Sequence, residues 1–172
     1  GEIYNFPELR IELQALGARF SSSTDTEVVL QGFALWGEKI LDRLNGMFAF
    51  AIWDTVERRL FLARDRYGIK PLYIVRVGDA VMFASEIKAF FAHPEFNSDI
   101  DRAALVEYFA FQNYFTSRTL FAGVSMLPAG TYMWSDLARG RNGQGVPCEY
   151  WDYRFESSGR ATGPEEYLEE LG

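Results

Sequence analysis

Cysteine and histidine are nearly missing: Cys148 and His93 are the only residues of their kinds among 172. One cysteine excludes an internal disulfide framework, and one of each excludes a Cys/His metal cluster. Basic charge is in deficit, with 17 Lys and Arg against 24 Asp and Glu and a net charge of −7. Nucleic acid and anionic membrane both need a basic footprint, so neither is expected as a partner. The longest apolar run, residues 47–53, falls far short of the roughly 20 residues that span a bilayer. No signal-peptide pattern opens the chain, and it holds no P-loop, G-x-G-x-x-G or H-E-x-x-H motif. A cytoplasmic globular domain that binds no metal is expected.

What is present is apolar and aromatic. Hydrophobic residues make up 48% of the chain and aromatic ones 16%, enough for a core without covalent staples. Residues 1–5 read as the end of a strand, and residues 164–171 as the opening turns of a helix. A piece of a longer chain is therefore expected. Asn5 stands where it would cap a helix over residues 7–16, with Leu9, Leu13 and Leu16 on one face and Gly17 ending it. Thr24-Asp25-Thr26-Glu27 is a capping box opening a second helix through Trp36.

The period then changes. Residues 47–53 are apolar at every position, which predicts one strand buried on both faces. A polar turn leads to a second apolar run, residues 60–63. Gly78-Asp79 between residues 72–77 and 80–84 predicts a type II′ hairpin. These short connections predict an antiparallel meander. Helices follow over residues 86–91 and 101–111, the latter with Leu105, Val106 and Phe109 on one face. Leu127-Pro128-Ala129-Gly130 turns into a strand at 131–134, and residues 139–144 form a Gly- and Arg-containing loop. The fold class is α+β, with helices covering antiparallel sheets.

Few residues offer chemistry on their own. Cys148 and His93 could in principle pair, but nothing around them activates a thiol, and an incidental loop cysteine and turn histidine is the favoured reading. Asp25 and Glu27 suit a helix N-terminus electrostatically. Glu2 is out of place in an apolar strand end unless it is paired or exposed. The charged loop at residues 64–71 reads as an ion-paired surface turn.

Taken together, however, Gly1-Glu2-Ile3-Tyr4-Asn5, Ser23-Thr24-Asp25-Thr26-Glu27-Val28, Leu44-Asn45-Gly46-Met47-Phe48-Ala49-Phe50, Arg64-Asp65-Arg66-Tyr67-Gly68-Ile69-Lys70-Pro71-Leu72-Tyr73 and Ala84-Ser85-Glu86-Ile87-Lys88-Ala89 occur in this order. Thr119-Leu120-Phe121-Ala122-Gly123, Leu127-Pro128-Ala129-Gly130 and Tyr150-Trp151-Asp152 follow. This text resembles the class II, N-terminal-nucleophile glutamine amidotransferase domain of glutamine-hydrolysing asparagine synthetase.

The resemblance implies an Ntn-hydrolase-like four-layer αββα sandwich, lacking its N-terminal part. It implies an amidotransferase domain over residues 1–155 and, over 156–172, a linker and the start of a helix leading into a synthetase domain outside this chain. Glutamine is the implied substrate, with no cofactor in this domain and ATP with Mg in the synthetase domain. That domain is the implied partner, and a homodimer is compatible with it. Gly1 would give a backbone N–H to an oxyanion hole. Glu2 and Asp25 would hold the glutamine α-ammonium, and Met47 would line the start of an ammonia tunnel. Residues 64–71 and 85–88 would be architectural, the former also able to face the synthetase domain.

One departure matters. The family nucleophile is a cysteine at the mature N-terminus, and no residue here can fill that role. The expected result is a fragment that is hydrolytically inactive by itself. The alternative is a non-catalytic scaffold of the kind found in β-lactam synthetase; the sequence ahead of Gly1 would separate the two.

Overall fold

A computed structural model describes residues 1–136 and 145–155. The expected loop at 139–144 and the segment 156–172 lie outside the described residues. The chain opens with β1 (Glu2–Ile3), α1 (Phe6–Ala15), α2 (Asp25–Trp36), a 3-10 turn and α3 (Ile40–Arg43). Strands β2 (Gly46–Met47), β3 (Ala49–Asp54), β4 (Arg59–Arg64), β5 (Tyr73–Val77) and β6 (Ala80–Ala84) follow. A 3-10 helix (Ile87–Ala92) and α4 (Arg102–Phe111) precede β7 (Val124–Met126), β8 (Thr131–Asp136) and β9 (Cys148–Glu149).

Every strand pairing is antiparallel, but the strands form separate sheets rather than the single meander expected. One sheet runs β3-β4-β8-β9, a second β6-β5-β7, and β1 pairs with β2 alone. β4 finds β8, remote in sequence, as its second neighbour, a long-range choice that local patterning does not encode. The Gly78-Asp79 hairpin is as expected: Val77 faces Ala80 and Gly78 alone in the turn has a positive φ, +58°, as type II′ requires.

The two-residue period of the strands sorts the core into layers. On β4, Phe61 and Ala63 pack with Leu9, Leu13, Val28 and Val29 of the first two helices. Leu60 and Leu62 point the other way and meet Leu72, Ile74, Leu127 and Met133 between the sheets. On β5, Val75 and Val77 turn outward again, under Phe90 and Ile87 of the 3-10 helix. The result is helices, sheet, sheet, helices. Phe61 is completely buried among Phe33, Phe50, Tyr132 and Trp134, and contributes on the order of 2–3 kcal/mol by burial alone.

Several expectations need correction. Residues 47–53 are not one doubly buried strand. The run breaks at Phe48 between β2 and β3, and Trp53 is exposed because β3 is the sheet edge. The doubly buried strand is β4, at the centre. Leu16 is exposed rather than packed. On α4 only Ala104 is buried, and Val106 and Phe109 of the expected core face are exposed together with Tyr108 and Phe111.

Candidate active site

Three motifs that are far apart in sequence converge at one cleft. Gly1, Glu2, Ile3, Asp25, Thr26, Val29, Phe48, Ala49 and Phe50 line a small cleft of about 140 Å³, open to solvent. β1 forms one wall. Its alternation sends Ile3 into the core and leaves Glu2 exposed at the mouth, which resolves the misplaced carboxylate: it faces the cleft.

β1 is held against β2 by the register Glu2↔Met47 and Ile3↔Gly46. Glycine is needed at both ends of this contact. A Cβ on Gly1 would lie 2.8 Å from the Met47 carbonyl oxygen and 2.9 Å from Phe48 Cα, and one on Gly46 would meet the backbone of Glu2 and Ile3. Asn5 completes the latch. Its Nδ2 donates to the Arg43 carbonyl and its Oδ1 accepts from the Asn45 N–H, both at 2.9 Å. It occupies the cap position of α1 but makes no cap hydrogen bond, because the side chain is used here instead.

Asp25 is the first residue of α2. Its Oδ2 accepts from the Ile3 N–H at 3.0 Å, which ties the helix start to β1 and sets Asp25 in the cleft with Glu2. Thr24 caps the helix by accepting from the Glu27 N–H at 3.4 Å. Glu27 reaches back further than a simple capping box, to the hydroxyl of Ser22 at 2.6 Å and to the backbone N–H groups of Ser21 and Ser22. The Ser22 hydroxyl and these further donors lower its pKa from 4.5 to about 2. A lowered pKa stabilises the folded state above the unfolded value, and that contribution is lost as pH falls. The brace at Ser21 and Ser22 should therefore hold at pH 4 and let go near pH 2, while its contribution to stability falls away between about 4.5 and 2. An NMR titration of the Glu27 side chain measures this, and a midpoint near the ordinary 4.5 would show the brace unformed.

The loop at residues 64–70 is not the ion-paired surface turn first expected. Arg64 and Asp65 are buried at 7% and 1% exposure, and each is satisfied by backbone. Arg64 donates to the carbonyls of Lys70, Leu127 and Gly68 at 2.8, 2.7 and 2.6 Å. Burial pushes its pKa down and the Asp65 charge opposes this. Arg66 donates to the carbonyls of Leu44, Leu41 and Asp42 at the end of α3. A Cys/His pair does not form at the cleft, since neither residue lines it. Cys148 is exposed on β9 and His93 follows the 3-10 helix over the other sheet. Met47 faces Glu2 in the β1–β2 register but is not among the lining residues.

The cleft's chemistry is one-sided. Two carboxylates stand among apolar walls, and among the described residues its lining includes no Lys, Arg or His. Such a site suits the ammonium end of a small molecule. Among the described residues no group of three or more His, Cys, Asp or Glu could hold a metal ion, and no helix is long and apolar enough to cross a membrane.

A double antiparallel sheet between helical layers, with a cleft where β1 meets α2, is an Ntn-hydrolase-like αββα arrangement. It superposes on glutamine phosphoribosylpyrophosphate amidotransferase from Bacillus subtilis with a TM-score of 0.57 at 22% identity, over 87% of this chain and 28% of that one. The glutamine amidotransferase domain family model matches residues 1–151, and the chain belongs to that family. Asparagine synthetase [glutamine-hydrolyzing] 3 of B. subtilis strain 168 is 40% identical over 158 residues, 91% of this chain and 25% of that protein. Asparagine synthetase [glutamine-hydrolyzing] 1 of the same strain is 43% identical over 131 residues, 76% and 21% of the two. The chain thus spans about a quarter of the length of these relatives.

Proposed function

We propose that this domain hydrolyses the side-chain amide of glutamine and passes the ammonia to an ATP- and Mg-dependent synthetase domain of the same protein, which amidates aspartate. The observation that carries the first half is the pairing of Glu2 and Asp25 at one small cleft with apolar walls. Their carboxylates would hold the α-ammonium, and the walls would hold the methylene chain. In this reading the thiolate of a cysteine ahead of Gly1 attacks the amide carbon, and the Gly1 N–H donates to the oxyanion that forms. Ammonia leaves with a proton, a thioester remains, and water cleaves it to glutamate and the free thiol. Met47, beside Glu2 in the ladder, would open the route by which ammonia departs. None of these steps calls for a cofactor in this domain.

The second half rests on the names and length of the relatives and on α4. Its exposed Val106 and Phe109 lie about one turn apart and form an apolar strip of the kind that marks an interaction site, and the synthetase domain is the partner we assign to it. The test is glutamate release from glutamine by the chain alone and by the chain extended with an N-terminal segment beginning Met-Cys-Gly. Release by the extended protein alone is expected. Silence in both, with the protein folded, would favour a non-catalytic scaffold.

A further inference from the structure

Asp65 lies outside the cleft and touches it only through the backbone of Phe48. Its carboxylate is 1% exposed and accepts only from main-chain N–H groups. Oδ1 takes Tyr67 at 3.1 Å and Ile69 at 2.9 Å, and Oδ2 takes Lys70 at 2.9 Å and Phe48 at 3.2 Å. The first three shape the loop around the carboxylate. The fourth leaves the loop altogether, for a residue 17 positions earlier. The Asp65 N–H returns the contact by donating to the Phe48 carbonyl at 2.8 Å. Phe48 is therefore gripped by both its backbone polar groups.

The grip falls where ordinary sheet structure gives out. Phe48 sits between β2, which pairs with β1, and β3, which pairs with β4. Buried peptide groups without partners are costly, and Asp65 supplies both partners. Phe48 also lines the cleft, and Gly1 packs directly on its Cα and on the Met47 carbonyl. Arg66 fixes the other flank of β2 through the Leu44 carbonyl. The loop thus holds β2 from both sides, directly beneath the wall that carries Gly1 and Glu2.

We propose that Asp65 is a positioning residue for glutamine hydrolysis, which through Phe48 sets the height of the Gly1 backbone N–H against the reacting carbonyl. This rests on the glutaminase reading above. Because Asp65 acts on the backbone under Gly1 and not on the ammonium-binding carboxylates, it governs kcat rather than KM.

The experiment uses the protein extended with the segment beginning Met-Cys-Gly. Asp65→Asn presents an amide NH₂ to an N–H that needs an acceptor, and should lower kcat per folded molecule by about 100-fold, as sub-ångström to ångström misplacement does. KM for glutamine should stay within about twofold, as expected when only transition-state contacts are lost. Amide hydrogen exchange should accelerate at Phe48 and at Tyr4, whose N–H donates to the Asn45 carbonyl beside β2, and should be unchanged at Ile3, whose N–H is held by Asp25. Unchanged kcat with an exposed Phe48 amide would overturn the proposal, as would a KM that rises in step with any loss. If Asp65→Asn does not fold, Gly68→Ala keeps the carboxylate but strains the loop at φ +63°. It should lower kcat partially at constant KM, and a lowered Tm with kcat intact would overturn the proposal. If the unmutated extended protein releases no glutamate, the glutaminase reading fails by itself. Exchange then decides the positioning role: faster exchange at Tyr4 and Phe48 supports it, and an effect confined to the loop overturns it.

Discussion

Replacing Asp25 by asparagine in the extended protein should raise the KM for glutamine by about 100-fold, the scale of one lost charge-assisted hydrogen bond. That is about 2.8 kcal/mol at 1.4 kcal/mol per factor of ten. The thermal midpoint should hardly move. The side-chain oxygen of asparagine still accepts from the Ile3 N–H, so the latch between α2 and β1 survives while the negative charge is gone. Asp25→Ala removes both functions and should cost a further roughly 1 kcal/mol of stability, the value of a helix-terminal hydrogen bond. The two variants therefore separate recognition from architecture. A second comparison isolates the ammonium: with an N-acylated glutamine, which carries no positive charge, Asp25→Asn and the unmutated protein should bind equally weakly. If Asp25→Asn takes glutamine as well as the parent does, the ammonium is held elsewhere and the cleft has been assigned the wrong way round.

The structure explains which parts of this fold were legible in the sequence. The Gly78-Asp79 hairpin and the Thr24 cap depend on residues within a few positions of one another, so their chemistry is written locally. The break at Phe48 is not. Nothing in an unbroken apolar run announces a change of sheet, because the signal is Asp65, 17 residues downstream. The loop at 64–70 was misjudged for the same reason: alternating charges suggest ion pairing, whereas Arg64 and Asp65 are satisfied by carbonyls and amides that only the fold brings to them. Of the site, Glu2 and Asp25 stood out as carboxylates in apolar or capping contexts. Their convergence on one cleft came from the family resemblance, since the Ile3–Asp25 contact spans 22 residues. Val106 and Phe109 of α4 mislead in the opposite sense: a helical apolar face is a core signal only where the fold supplies a partner, and this one is open.

Arg64→Met should be the most destabilising single change outside the hydrophobic core. The guanidinium bonds three carbonyls through three different nitrogens, and its plane lies against Gly68, where a Cβ would come within 3.0 Å of Cζ. Methionine fills much of the volume but leaves those acceptors facing a thioether. Losing a charged donor to buried acceptors costs about 1.5–3 kcal/mol per bond, and neighbouring losses do not add fully. About 3 kcal/mol is the expected total, a fall in Tm of roughly 6–12 °C for a domain of this size. Arg64→Lys should recover little, because one ammonium cannot reproduce a planar fork reaching Lys70, Leu127 and Gly68 at once. The effect should also travel. Leu127 lies in the layer between the sheets and the Lys70 amide is one of the donors on Asp65, so exchange should accelerate both at the turn before β8 and at Phe48. Scanning calorimetry and amide exchange on the same variant measure both. A Tm within about 2 °C of the parent, less than the shift expected for 1 kcal/mol, would mean that water replaces the guanidinium at those carbonyls and that the loop stands without it.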